Sequence, residues 1–107
     1  MVIIQFSHGD WFNPNWVYRW LVDDIRASGQ LGGDIIHELD LGGVYGMLDF
    51  TKMQPDLSVR ILLAIKATIA HVLDAPPANR EDRDQDGERM YRESLAELRD
   101  LVEKGGS

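Results

Sequence analysis

The spacing of apolar positions changes along this chain, and each change marks an expected element. "VIIQF" at residues 2–6 gathers β-branched and aromatic side chains over too few positions for a helix, which predicts a brief strand. Further on the spacing lengthens: Val17, Leu21 and Ile25 recur at i, i+4 and i+8 beside Trp16 and Trp20, the signature of an amphipathic helix. Asn13 is placed to cap that helix, Pro14 suits its first position, and Gly29 is placed to stop it. The widest apolar stripe, Leu57, Ile61, Ala64, Ile65, Thr68, Ile69 and Val72, predicts a central helix that starts near Pro55-Asp56 and is ended by Pro76-Pro77. A last helix is expected from Gly87 or Glu88 to about Lys104. It turns Tyr91, Leu95, Leu98, Leu101 and Val102 inward and leaves Glu88, Arg92, Glu93, Glu97, Arg99 and Glu103 on its outer surface.

Residues 31–50, "LGGDIIHELDLGGVYGMLDF", admit two readings. A hairpin turning on Gly42-Gly43 would collect Ile35, Leu39, Leu41, Val44, Leu48 and Phe50 on one face. A helix capped by Asp34 and ended by Gly46 would group Ile35, Ile36 and Leu39, at the cost of two interior glycines worth about 1 kcal/mol each against Ala. The helix is preferred, because the segment after it reads as a connection between consecutive helices. The expected fold class is therefore mainly α: a small single-domain bundle of three to four helices with a short N-terminal strand. The alternative is an α+β fold with a β-hairpin at 35–50.

Composition narrows the picture further. A chain of 107 residues, 44% hydrophobic and 27% charged, suits one domain with a single modest core. The charged run at 80–89 marks an expected solvated linker at about 76–87, and 105–107 is expected to be a flexible tail. With no cysteine, disulfides, thiolate nucleophiles and cysteine metal sites are excluded. The first residues lack a basic region before a short apolar run, and no later stretch approaches the length of a membrane span, so a cytoplasmic protein without membrane partners is expected. A net charge of −7 works against phosphate attraction and hence against nucleic-acid binding, and favours another protein with a basic surface as partner.

Candidate chemistry is sparse. Residues 82–93, "DRDQDGERMYRE", resemble the twelve-residue calcium loop of an EF-hand: Asp82, Asp84 and Asp86 alternate, Gly87 stands at the turn and Glu93 closes the pattern. The resemblance covers that stretch alone, with Arg89 where paired loops present an apolar residue, Pro76-Pro77 cutting the entering helix, and no second loop. An acidic approach to a helix start gives the same letters without any ion, and that reading is preferred, so no metal or cofactor is expected. His8 and Asp10 form an H-x-D pair that would suit a base and its orienting carboxylate, but nothing near them completes a site. His37 and His71 sit in apolar segments and are expected to be packed histidines. Asp23 and Asp24 are expected to face solvent. No G-x-S-x-G elbow and no phosphate-cradling glycine motif occurs, so no catalytic residue is nominated and the chain is expected not to be an enzyme.

What stands out is the aromatic density of residues 6–20. Core packing accounts for Trp16 and Trp20, which share a helix face. Tyr18 cannot share it, and Trp11 and Phe12 precede the helix without a period that demands burial. Aromatics and Arg dominate binding hot spots, so Trp11, Phe12, Tyr18 and Arg19 are the candidate partner-binding patch. For Phe12 the competing expectation is a hydrophobic staple folded over the first helix. The expected function is a small acidic protein-binding module of the immunity or inhibitor kind, neutralising a basic partner. A calcium-binding module built on residues 82–93 is the alternative, and a small enzyme using His8 and Asp10 ranks third.

Overall fold

The alternation in "VIIQF" does make a strand. In the computed structural model, which describes residues 1–29, 31–74 and 84–105, β1 (Val2–Phe6) buries Val2, Ile4 and Phe6 and leaves Ile3 and Gln5 on the opposite side. It is not solitary. The chain turns at Ser7-His8 and returns as β2 (Gly9–Asn13), antiparallel to β1, with Ile3 opposite Phe12 and Gln5 opposite Asp10. Trp11 and Phe12, which the spacing left without an element of their own, therefore belong to a second strand. Its Gly, Asp and Asn are poor strand formers, and its turn contains no residue of positive φ, so the Gly or Asn signature that betrays hairpins in sequence is missing.

Helix α1 (Asn15–Ser28) is capped by Pro14, not by Asn13, and closes on Gly29 at φ 69°. Asn13 stays in β2, where its side-chain oxygen accepts from the Ser94 hydroxyl at 2.8 Å. Helix α2 (Gly33–Tyr45) has Gly32 as its N-cap, with Asp34 in the first turn, and ends on Gly46 at φ 77°. A left-handed residue there sends the chain back as β3 (Met47–Asp49), parallel to β1 on the side away from β2. The sheet order is β2-β1-β3. No hairpin forms at 35–50: most of that stretch is helix, and residues 47–49 pair with the N-terminal strand instead. Helices α3 (Pro55–Asp74) and α4 (Gln85–Gly105) complete the described fold, which is mostly helical with a small three-stranded sheet. Of the linker expected at 76–87, residues 76–83 lie outside the described residues, and 85–87 already belong to α4. The tail expected at 105–107 begins at the last residue of α4, and 106–107 lie outside the described residues.

The helices cover one face of the sheet. Val2, Ile4, Phe6, Trp11 and Leu48 project from that face into a core shared with Leu21 and Ile25 of α1, Ile61, Ile65 and Ile69 of α3, and Tyr91, Leu95 and Leu98 of α4. The inward stripes of α3 and α4 are those their spacing predicts. Directional bonds fix how the layers meet. The Trp11 indole N–H donates to the Ser94 carbonyl of α4 at 3.0 Å, and Arg92 donates to the Val72 carbonyl of α3 at 2.7 Å. The Tyr91 hydroxyl donates to Asp24 at 2.7 Å in a buried link from α4 to α1. Asp24 and Glu88, expected to face solvent, are both buried because α4 packs across α1 and α3 and covers them. His37 and His71, expected to be packed, are exposed on the outer sides of α2 and α3.

The glycine pair that argued against a helix at 33–45 is what allows α2 to approach α1. A Cβ on Gly42 would stand 2.9 Å from the Tyr18 hydroxyl, and one on Gly43 3.2 Å from the Tyr18 ring. With no Cβ in the way, Tyr18 lies against α2 and donates to the Leu39 carbonyl at 2.6 Å.

Gly42→Ala should therefore lower the melting temperature. Overpacking costs about 1–3 kcal/mol and disturbing the Tyr18 bond about another 1 kcal/mol, against a helix-propensity gain of roughly 1 kcal/mol. Gly33→Ala, where an added Cβ meets nothing within 4 Å, should leave stability unchanged or raise it by up to about 1 kcal/mol. Thermal melts of the two variants side by side check the contrast, and a Gly42→Ala protein that melts above the parent would contradict it.

Candidate functional site

Among the described residues the helices lie on one side of the sheet only, so its other face stays open, and the registers fix what it displays. Ile3 has Phe12 beside it on β2 and Met47 beside it on β3, which makes an apolar row across all three strands. The next row holds Asp10, Gln5 and Asp49. Phe12 is 54% and Met47 44% exposed, although side chains of this type are usually covered. Met1, two residues before Ile3, continues the same face, and its carbonyl lies against Gly46. Val44 and Tyr45, in the last turn of α2 just ahead of Gly46, are each 78% exposed. Five of the eight large apolar side chains exposed among the described residues thus gather at this end of the sheet: Met1, Phe12, Val44, Tyr45 and Met47.

Carboxylates border the patch on two sides. Beyond the apolar row stand Asp10 and Asp49. The Thr51 hydroxyl and backbone N–H both donate to Asp49, and these bonds, the hydroxyl first, hold its carboxyl below the usual aspartate range. Beyond Val44, a cleft of about 340 Å³ between α1 and α2 is lined by Arg19, Asp23 and Asp40. Arg26 bridges the two acids, at 3.2 Å from Asp23 and 2.9 Å from Asp40. Half-exposed pairs of this kind add little stability, but they hold both carboxylates at the rim. Tyr18 forms the floor of the cleft, its phenol pushed well above the ordinary value by burial and then by the Asp40 charge.

The four residues nominated from sequence do not form one patch. Strand alternation sends Trp11 inward, only 2% exposed, and Phe12 outward. Phe12 is consequently no staple over α1. Tyr18 is buried between α1 and α2, and Arg19 lies exposed along the α1–α2 cleft. Phe12 and Arg19 keep an exposed position; Trp11 and Tyr18 belong to the core. The residues that sequence reasoning missed are Met1, Ile3, Val44, Tyr45 and Met47. The alternation of β1 already placed Ile3 opposite Ile4, but the pairing with β2 and β3 that makes a surface of it had no local signal.

His8 donates from Nε2 to the Leu101 carbonyl at 2.6 Å and leans on the Phe6 ring, while Asp10 lies across from Gln5 on the open face. The two do not make a base and its orienter. Asp82 of the calcium-loop resemblance lies outside the described residues. Asp84 accepts from the Gly87 amide at 2.7 Å as the cap of α4, and residues 85–93 run as helix, so Gly87 makes no sharp turn, and no group of three possible metal ligands gathers among the described residues. No helix among the described residues is long and apolar enough to cross a membrane. No protein-family model, curated protein or solved structure matches the chain.

The acidic row has a readable titration. Asp49 should titrate below an ordinary aspartate in a proton-detected pH series, and Thr51→Val should bring its midpoint back up. Because its folded value is the lowered one, the stabilisation it contributes is present above the ordinary aspartate value and is lost as pH falls through the lowered one. An Asp49 midpoint unmoved by Thr51→Val would contradict this assignment.

Proposed function

We propose that this chain is a small acidic protein-binding module, cytoplasmic and non-enzymatic, that neutralises a basic partner in the manner of an immunity or inhibitor protein, and that it docks through the open face of its sheet. The observation that carries the reading is the concentration of exposed apolar side chains around Ile3, flanked by Asp10 and Asp49 on one side and by Asp23 and Asp40 on the other. Apolar anchors inside a charged rim are the ordinary anatomy of a specific interface: the anchors supply affinity, and the rim supplies orientation and association rate. A chain of net charge −7 repels acidic surfaces and steers toward basic ones, so the rim and the whole molecule select the same partner class.

Phe12 is the expected anchor, since its ring stands out from a paired strand and loses water without any rearrangement of the core. The chain, immobilised beside a triple variant carrying Phe12→Ser, Asp10→Asn and Asp49→Asn, should retain a basic protein that the variant releases. Calorimetry on the purified pair should then show Phe12→Ala weakening binding about tenfold or more, or about 1.4 kcal/mol. Added salt should slow association more than it speeds release. Where the partner is an enzyme or toxin, its activity should fall in proportion to complex formed. A purified partner whose affinity is indifferent to all three substitutions, or one that is acidic and insensitive to salt, would overturn the reading.

A further inference from the structure

The opposite end of the sheet carries a second surface of different character. Phe6 and Phe50 stack there at 5.3 Å, and with Leu62 and Val102 they wall a cleft of about 360 Å³. Along its rim, Val59 and Leu63 of α3 remain 55% and 60% exposed. These two, with Leu62 and Lys66, form a second stripe on α3, distinct from the stripe that faces the core. The volume falls within the range of small-ligand sites, near its lower end, and is too small to seat a helix.

The charge of this cleft runs against that of the molecule. In a chain of net charge −7, none of the residues lining it is acidic, whereas Lys66 and His8 both lie on it. Lys66 has no carboxylate partner among the described residues. Asp49, the residue before Phe50, is turned to Thr51. Hydroxyls of Ser7 and Ser58 sit around the same opening and can donate to an anion, while that of Thr51 is already given to Asp49. We propose that this cleft binds a small amphiphilic carboxylate, its aliphatic or aromatic tail between the Phe6–Phe50 pair and Leu62 and its carboxylate beside Lys66. A singly charged ligand suits the site better than a polyanion would, because beyond about one Debye length, roughly 8 Å, the acidic remainder of the molecule is screened for a small ion but not for a large one in contact with it.

Two ligands with one tail and opposite heads test this: decanoate and decyltrimethylammonium, titrated below their micellar concentrations into isotopically labelled protein. Decanoate should shift the amides of residues 6–8, 50–51 and 58–66 saturably and bind more tightly than the cation. Lys66→Gln should weaken decanoate by roughly threefold to fivefold and leave the cation no weaker, whereas Leu63→Ser should weaken both. Both side chains are exposed, so the variants should melt with the parent. Equal affinity for the two heads, a Lys66→Gln variant that keeps the preference, or shifts centred on Phe12 and Met47 would overturn the proposal. So would movement of the same amides on raising protein concentration alone, which would assign the cleft to a second copy of the chain.

Discussion

A strand paired on both sides, with helices on one face only, has to present its alternate residues to water, and β1 is in that position. Val2, Ile4 and Phe6 anchor the core, so Ile3 and Gln5 have no choice of side. Pairing then carries that choice outward: whatever stands opposite Ile3 and Gln5 in β2 and β3 shares the open face with them. The apolar row and the acidic row beside it are thus consequences of one register, not separate features of the surface.

Much of the helical part of this arrangement was legible in the chain. The stripes of α3 and α4 and the stop at Gly29 follow from local spacing, which a sequence displays directly. The sheet was less legible, because its second and third strands are defined by partners rather than by composition. "GDWFN" has few strand formers, and "MLD" is three residues long; each becomes a strand only when β1 supplies its hydrogen bonds. The same ignorance of pairing misplaced the candidate patch. Trp11 and Phe12 looked equivalent as neighbouring aromatics, yet a period of two makes neighbours opposites. Asp24 and Glu88 carry a related lesson: their charge reads as surface, yet Asp24 stands i+3 from Leu21 and i+4 from Trp20, and Glu88 stands three residues before Tyr91 and seven before Leu95, so both share the apolar faces that the packing of α4 covers.

The two ends of the sheet divide the surface electrostatically. Near Met1 and Met47 apolar side chains lie between carboxylates; near Phe6 and Phe50 they lie beside Lys66, with none of the lining residues acidic. The chain's 18 acidic and 11 basic residues are thus unevenly placed around its exposed apolar groups. The division means that one small molecule can discriminate by charge in opposite directions at two places. Long-range steering by the net charge then favours the acidic end for large partners and matters less for small ions at the other.

Rigidity is what turns the open face from a patch of exposed side chains into a surface with a fixed shape. A slip of β1 by one residue would carry Ile4 and Val2 out to solvent and drive Gln5 into the core, so burial enforces the register that the hydrogen bonds alone would not. Trp11 adds a directional lock, because its indole N–H reaches Ser94 of α4 only in this register, and the Asn13–Ser94 bond repeats the constraint two residues on. Phe12 sits between these two anchored residues, so its backbone is held while its ring stays in water. A partner that covers it has one side chain to immobilise and no strand to order, and ordering costs of that size separate weak surfaces from tight ones. The core residues of β2, rather than the exposed ones, are therefore what make the open face fit to bind.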